Sequence, residues 1–338
     1  MTLHETSRRA DGSPGTLKLL TTGGTIATRL DPATGRTAPA LGAAEIARLA
    51  PGLERAEVLE LRRTPSWAMT IADMASIARS VGAALDDEDV AGVVVTVGTT
   101  TLEYVSFVSD LYVDATVPVV FTGAMRKADE ADPDGPANLA DAVRVAGSPE
   151  AAGRGVLVCF AGKILSARGC WKMARSANNA FLDTDGSVGV VDGDGPHFLR
   201  VPPTMPRLRG TPVEGVEIVK VFPGAEGDLL DAVAARGVRG VVIEGLPGAG
   251  GIPPKMFEAL ERLAATDTVV VVSSRAPSGS VPNPPTGGTG SPLADLPLLS
   301  AGSLTTEKAW IALSAALGEG GSLSAVRARF SSLAEVGP

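Results

Sequence analysis

The chain has 338 residues, a formal net charge of −8 and only two histidines, His4 and His197. That acidic balance argues against nucleic acid and anionic membranes as partners, and so few histidines leave a Ser-His-Asp triad, a His-based metal site and a haem ligand poorly served. Cys159 and Cys170 are too few for a disulfide framework and lack zinc spacing, so they read as core thiols. Hydrophobic residues make up 44%, but the apolar runs are strand-sized and none approaches the roughly 20 residues that span a bilayer. The first residues, MTLHETSRRADGSPG, are polar and have no apolar core of a signal peptide, so a cytoplasmic protein is expected. No metal and no cofactor is expected.

In chain order, residues 1–16 read as a disordered tail. Strand signals follow at 17–22, 57–62, 91–97, 117–122 and 155–161, with helical stretches near 43–50, 70–85, 101–113 and 136–147. The strands are near-continuous Val/Leu runs, as in a parallel sheet covered on both faces. Pro136 suits the first turn of the fourth helix. The alternation predicts a doubly wound, mostly parallel α/β domain over 17–200. Residues 185–213 are rich in Gly and Pro and read as a short hairpin and then a linker at 201–213. A second alternating set begins at 216, with strands at 216–221, 239–244 and 268–274 and helices near 226–236 and 254–265. The loop 276–291 is long and turn-rich, which marks a functional or mobile segment. Two helices, 304–317 and 321–333, close a smaller C-terminal α/β domain over 214–338. The class is α/β with two domains.

Chemistry concentrates where the first-domain strands end. In LKLLTTGGTIATR an apolar strand breaks into a glycine turn at Gly23 and Gly24, and Thr25 lies just beyond it. Ligands bind at this end of an open α/β sheet. A hydroxyl there can act as nucleophile, anion ligand or helix cap. Thr99, Thr100 and Thr101 follow the apolar run VVVTVG directly, and one of them is expected to cap the helix that begins near Leu102. Three adjacent threonines exceed what a cap needs. Lys172, in GCWKMARSANN, is the candidate base, since a lysine shielded from water has its pKa lowered enough to take a proton from a hydroxyl. A surface lysine is the alternative.

TGGTIA, the V-G-T-T-T after an apolar strand, TGAMR-x-A-D…DGP-x-N-L-x-x-A-V and VVVVSSRAPSGSV together resemble the bacterial-type L-asparaginase/glutaminase family over roughly residues 17–330. The resemblance implies a larger N-terminal and a smaller C-terminal α/β domain. It implies a homodimer or homotetramer with each active site at a subunit boundary, and a small-molecule amide substrate. The implied mechanism forms an acyl-enzyme on a threonine, releases ammonia and then hydrolyses. Thr25 matches the nucleophile. Thr99 matches the threonine of a second catalytic group, and Lys172 its lysine. Ser66 falls where the family binds the substrate's α-carboxylate, and Gly24, Gly98 and Thr100 fall at its substrate-binding positions.

The chain departs from that pattern in several places. Where the family has H-G-T-D-T, Val97 replaces the histidine and Thr100 the aspartate that faces the substrate's α-ammonium. Losing a charge-assisted contact of about 1.5–3 kcal/mol weakens binding of a free amino acid tenfold or more. The loop 281–290, VPNPPTGGTG, lacks the acidic residue that a partner subunit normally contributes. The segment 30–41 lacks the tyrosine that activates the nucleophile, and the chain's two tyrosines, Tyr104 and Tyr112, follow the second signature. No asparagine stands at Ala249–Gly250, where the family often has one. These departures predict a threonine-dependent amidohydrolase whose substrate lacks a free α-amine, such as an N-acylated, cyclised or peptide-linked asparagine or glutamine. An ordinary but weak L-asparaginase, an acyl transferase or cyclase, and a non-catalytic small-molecule binder are the alternatives. Thr99 with Lys172 is the pair placed to share or take over Thr25's role.

Overall fold

A computed structural model describes residues 15–286 and 292–336 and divides them into two compact units, one ending at Arg207 and the other beginning at Leu208. The division falls inside the expected linker. Residues 1–14 of the expected tail, and 287–291 of the long loop, lie outside the described residues.

The first unit opens with β1 (Thr16–Thr21), one residue earlier than the expected tail allows. A hairpin of β2 (Thr28–Leu30) and β3 (Thr37–Pro39) follows, then α1 (Ala43–Ala47), β4 (Glu57–Glu60) and α2 (Ile71–Leu85). Thr70 caps α2 by accepting from the Asp73 N–H, while the Asp73 carboxylate accepts from the Thr70 N–H. Next come β5 (Val90–Thr96), α3 (Leu102–Tyr112), β6 (Val119–Thr122) and α4 (Gly135–Ala146), with Pro136 in the first turn of α4. Five short strands follow: β7 (Val156–Phe160), β8 (Lys163–Ser166), β9 (Cys170–Lys172), β10 (Phe181–Asp183) and β11 (Gly189–Asp192). Last comes β12 (Gly195–Phe198), which pairs with β11 as the hairpin read from the sequence.

The main sheet runs β12-β11-β8-β7-β6-β5-β1-β4. Pairings from β4 to β7 are parallel and those from β7 to β12 antiparallel. All seven residues of β5 are buried, as its unbroken apolar run requires. One face packs Leu19, Val94 and Val120 against Ile46 of α1 and Leu139 of α4. The other carries α2 and α3, which pack on each other and on β5 and β7. The chain visits β4 on one side of β1 and then crosses to β5 on the other. The strand order therefore reverses beside β1, the place where such sheets open a crevice at their carboxyl ends.

The second unit is smaller. Strands β13 (Val216–Lys220), β14 (Gly240–Gly245), β15 (Val269–Ser274) and β16 (Leu299–Ser300) form a parallel sheet in sequence order. Helices α5 (Asp228–Ala235) and α6 (Phe257–Ala264) share a core with Val241, Ile243 and Val270. Strand residues alternate sides, which leaves Val242 and Gly240 toward α7 (Thr306–Gly318), whose Leu313 lies against Gly240. Helix α8 (Leu323–Ala334) closes the unit, capped by Ser322. No helix among the described residues is long and apolar enough to cross a membrane.

Candidate active site

The site sits at the carboxyl ends of β1 and β5, neighbours at the strand-order reversal. Gly24 ends the turn after β1 with φ 87° and ψ −175°, a region open essentially to glycine alone. Space demands glycine there as well, because a Cβ would lie 2.5 Å from the Gly98 Cα. Gly98 in turn faces Ser66, and a Cβ on it would lie 2.3 Å from the Ser66 Oγ and 2.7 Å from the Ser66 Cβ. Three chain segments thus cross in near contact, and the side chains on either side of the crossing are brought together.

Those side chains line one cleft of about 390 Å³, within the range of clefts that take small molecules. Gly24, Thr25, Ser66, Thr99 and Thr100 are among its lining residues. Thr25 opens a one-turn 3₁₀ helix, Thr25–Ala27, and is half-buried while Ile26 and Ala27 enter the core. The Thr28 hydroxyl closes this turn by donating to the Gly24 carbonyl at 2.7 Å. Ser66 opens another short 3₁₀ turn, Ser66–Ala68, after Pro65. Thr99 is buried and Thr100 exposed.

Lys172 ends β9, which pairs with β10 so that Lys172 stands opposite Phe181. Its Nζ donates to the Thr99 Oγ1 at 2.8 Å and lies 5.9 Å from the centre of the Phe181 ring. Its backbone N–H donates to the Glu103 Oε2 at 2.8 Å. Burial pushes the Lys172 ammonium below its ordinary range, and the charge of Glu103 acts in the opposite direction. A lysine that loses its proton more readily, in contact with a hydroxyl, is equipped to accept the proton of that hydroxyl. Among the described residues no such amine reaches Thr25.

All seven site residues read from the sequence are therefore assembled at one place: five line the cleft, Gly98 supports it from behind and Lys172 enters through Thr99. The expected cap is a correction. Thr101 occupies the N-cap position of α3 but makes no capping bond, and its hydroxyl points to the Met69 Sδ at 3.6 Å. The turn leaves Thr99 for Lys172 and Thr100 for the cleft. Tyr104 and Tyr112 lie on α3 and line no part of the cleft; neither does Cys170, which is fully buried.

Sequence reasoning missed Glu103, whose signal was an acid in the first turn of α3. It missed the rim residues Arg63, Trp67 and Lys127. It also missed the role of Asp134 in the DGP-x-N-L segment. The Asp134 carboxylate accepts the N–H groups of Met125 and Arg126 at 2.8–3.1 Å. Asn138, on the first turns of α4, donates to the Gly123 carbonyl at 3.0 Å and accepts from the Ala161 N–H at 2.9 Å. These bonds hold the cleft wall that follows β6. A polar pair spaced i, i+4 at a helix start was the available sign.

Comparison with known proteins bears on the same segments. Residues 16–203 match the family model for the asparaginase N-terminal domain, and residues 215–330 that for the glutaminase/asparaginase C-terminal domain. The chain is 38% identical over 326 residues to a probable L-asparaginase of Deinococcus radiodurans, covering 93% of this chain and 96% of that one. It is 30% identical to an L-asparaginase of Bacillus licheniformis, over 78% of this chain and 83% of the relative. A crystal structure of a probable cytoplasmic L-asparaginase from Campylobacter jejuni superposes with a TM-score of 0.79 at 28% identity, covering 94% of this chain and 99% of that one.

Proposed function

Since the chain belongs to the asparaginase family of amidohydrolases, we propose that it cleaves a side-chain carboxamide through a threonine acyl-enzyme, on a substrate without a free α-amine. One observation carries the reading. The cleft gathers Thr25, Ser66 and the Lys172-paired Thr99, and among the described residues no carboxylate lines it. A free α-ammonium desolvated there would lack a charged partner, which is costly, whereas an amide nitrogen needs none.

In the proposed sequence the Thr25 Oγ attacks the carboxamide carbon and its proton passes to the departing nitrogen. The C–N bond breaks, ammonia leaves, and water then cleaves the ester to return the hydroxyl. Backbone N–H groups of the glycine turn are the natural stabilisers of the oxyanion. Lys172 with Thr99 supplies the proton acceptor for the attacking water. The Ser66 hydroxyl fits a hydrogen bond to the substrate's carboxylate.

Ammonia release from N-acetyl-L-asparagine and from L-asparagine by the purified protein tests the reading. The acylated compound is expected to have the higher kcat/KM, and both activities disappear in Thr25→Ala. The reverse ranking refutes the substrate assignment and favours ordinary L-asparaginase activity, the second reading, which the resemblance to the Deinococcus protein supports. We also propose a homodimeric or homotetrameric assembly, testable by light scattering. The naming of the Campylobacter protein as cytoplasmic supports the same location for this chain.

A further inference from the structure

Two cations, Arg63 and Lys127, line the cleft. We propose that the group replacing the substrate's free amine itself bears a carboxylate, recognised by Lys127 with Arg63 beside it, while Trp67 covers its carbon chain. This rests on the amine-free reading above and narrows it to N-blocked asparagine or glutamine whose blocking group is an anionic acyl chain.

Lys127 lines the same cleft as the candidate nucleophile. The Ala128 N–H donates to the Thr28 carbonyl at 3.2 Å, and the Thr28 hydroxyl donates to the Gly24 carbonyl, so the wall bearing Lys127 is bonded to the turn bearing Thr25. The acids near these cations hold them to different degrees. Glu60 forms paired bonds of 2.6 and 2.9 Å with the Arg63 guanidinium, and the Asp129 carboxylate accepts from the Leu30 N–H at 2.7 Å. Glu130 stands 3.5 Å from the Lys127 Nζ, a looser pairing, with the lysine side chain 34% exposed. Lys127 is thus the more loosely paired of the two cations and the one an incoming anion would engage first, while the Arg63 charge is already shared with Glu60.

Trp67 completes the rim. It follows Ser66 directly, lines the cleft and is 76% exposed. An indole face beside two cations suits an acyl chain that ends in a carboxylate: the methylenes lie on the ring and the charge reaches the ammonium. A free amino acid seated on Ser66 would leave this part of the cleft unused.

The test compares ammonia release from N-succinyl-L-asparagine, N-butanoyl-L-asparagine and L-asparagine. The two acyl groups have the same length and differ by a terminal carboxylate in place of a methyl. The wild-type protein is expected to prefer the succinyl compound in kcat/KM by about tenfold at low salt, the effect of one charge-assisted contact. The preference shrinks as ionic strength rises. Lys127→Gln brings the ratio to about one, and Lys127→Arg restores it. A wild-type ratio near one, or a ratio unchanged in Lys127→Gln, overturns the inference and leaves the amine-free reading standing. Both acylated compounds slower than L-asparagine overturns that reading and this inference with it.

Discussion

Gly98→Ala tests whether the crossing of three segments sets the site. Its backbone does not require glycine, so the cost arises from space alone. The added methyl would sit 2.3 Å from the Ser66 Oγ and 2.7 Å from the Ser66 Cβ, with the Gly24 Cα at 3.3 Å behind it. The hydroxyl can rotate away. The Cβ cannot, and it must retreat from 2.7 Å to an ordinary carbon separation of about 3.6 Å. Ser66 then moves by about 1 Å, with a destabilisation of about 1–3 kcal/mol as in other overpacked sites. A displacement of that size in a positioning group lowers kcat/KM by about 100-fold. Urea unfolding followed by circular dichroism and the rate of ammonia release read the two effects separately. The same substitution is then made with Ser66 changed to alanine and to glycine. Ser66→Ala removes only the oxygen and relieves a minor share of the cost. Ser66→Gly removes the Cβ and recovers about 1 kcal/mol or more, the coupling typical of residues in contact, without recovering activity. A stability cost equal in all three backgrounds would refute the packing argument.

Lys172→Met is expected to lower kcat by about 10²–10⁴-fold, the contribution of a proton acceptor, with the fold retained by circular dichroism. In the wild type kcat/KM rises with pH as Lys172 loses its proton, and burial places that rise below the ordinary lysine pKa of 10.5. Glu103→Gln removes the charge that opposes the shift, so the rise moves to still lower pH; an unmoved profile means that Lys172 is not the titrating base. Asp134→Ala leaves the N–H groups of Met125 and Arg126 without their acceptor. A loss of about 1–3 kcal/mol and faster hydrogen exchange at 123–128 are expected, and exchange unchanged there would contradict the role given to Asp134. Gly24→Ala combines a glycine-only backbone with a clash against backbone atoms that cannot rotate aside. It is expected to destabilise more than Gly98→Ala in the same urea assay, and an equal or smaller effect would count against the strain.

The parallel strands were legible because burial on both faces writes them as unbroken apolar runs. VAGVVVT and VVVVSS left little choice of structure. The short strands β2, β3, β9 and β10 were not legible, because three residues carry no period and their pairing is set by distant partners. Thr25, Thr99 and Lys172 were singled out through motifs that end strands. Their contacts were not: the bond from Lys172 to Thr99 joins residues 73 apart through a two-stranded ribbon that the sequence did not announce. The misplaced cap has a local cause. The N-cap position fell to Thr101, whose hydroxyl turned to a methionine sulfur instead of the helix's free N–H groups. Arg63, Trp67 and Lys127 look like ordinary surface residues in a sequence, and only the fold brings them to one cleft.

That crossing also divides the site into a part that selection can change and a part that it cannot. At positions 24 and 98 a side chain collides with backbone or with Ser66 whatever the substrate. Residues 67, 100 and 127 line the cleft and are exposed or half-exposed. A saturation scan scored for folded protein would therefore tolerate little at the first pair and nearly everything at the other three. Scored for turnover, it would be strict at all five. A scaffold built this way can exchange one substrate for another without passing through an unfolded ancestor.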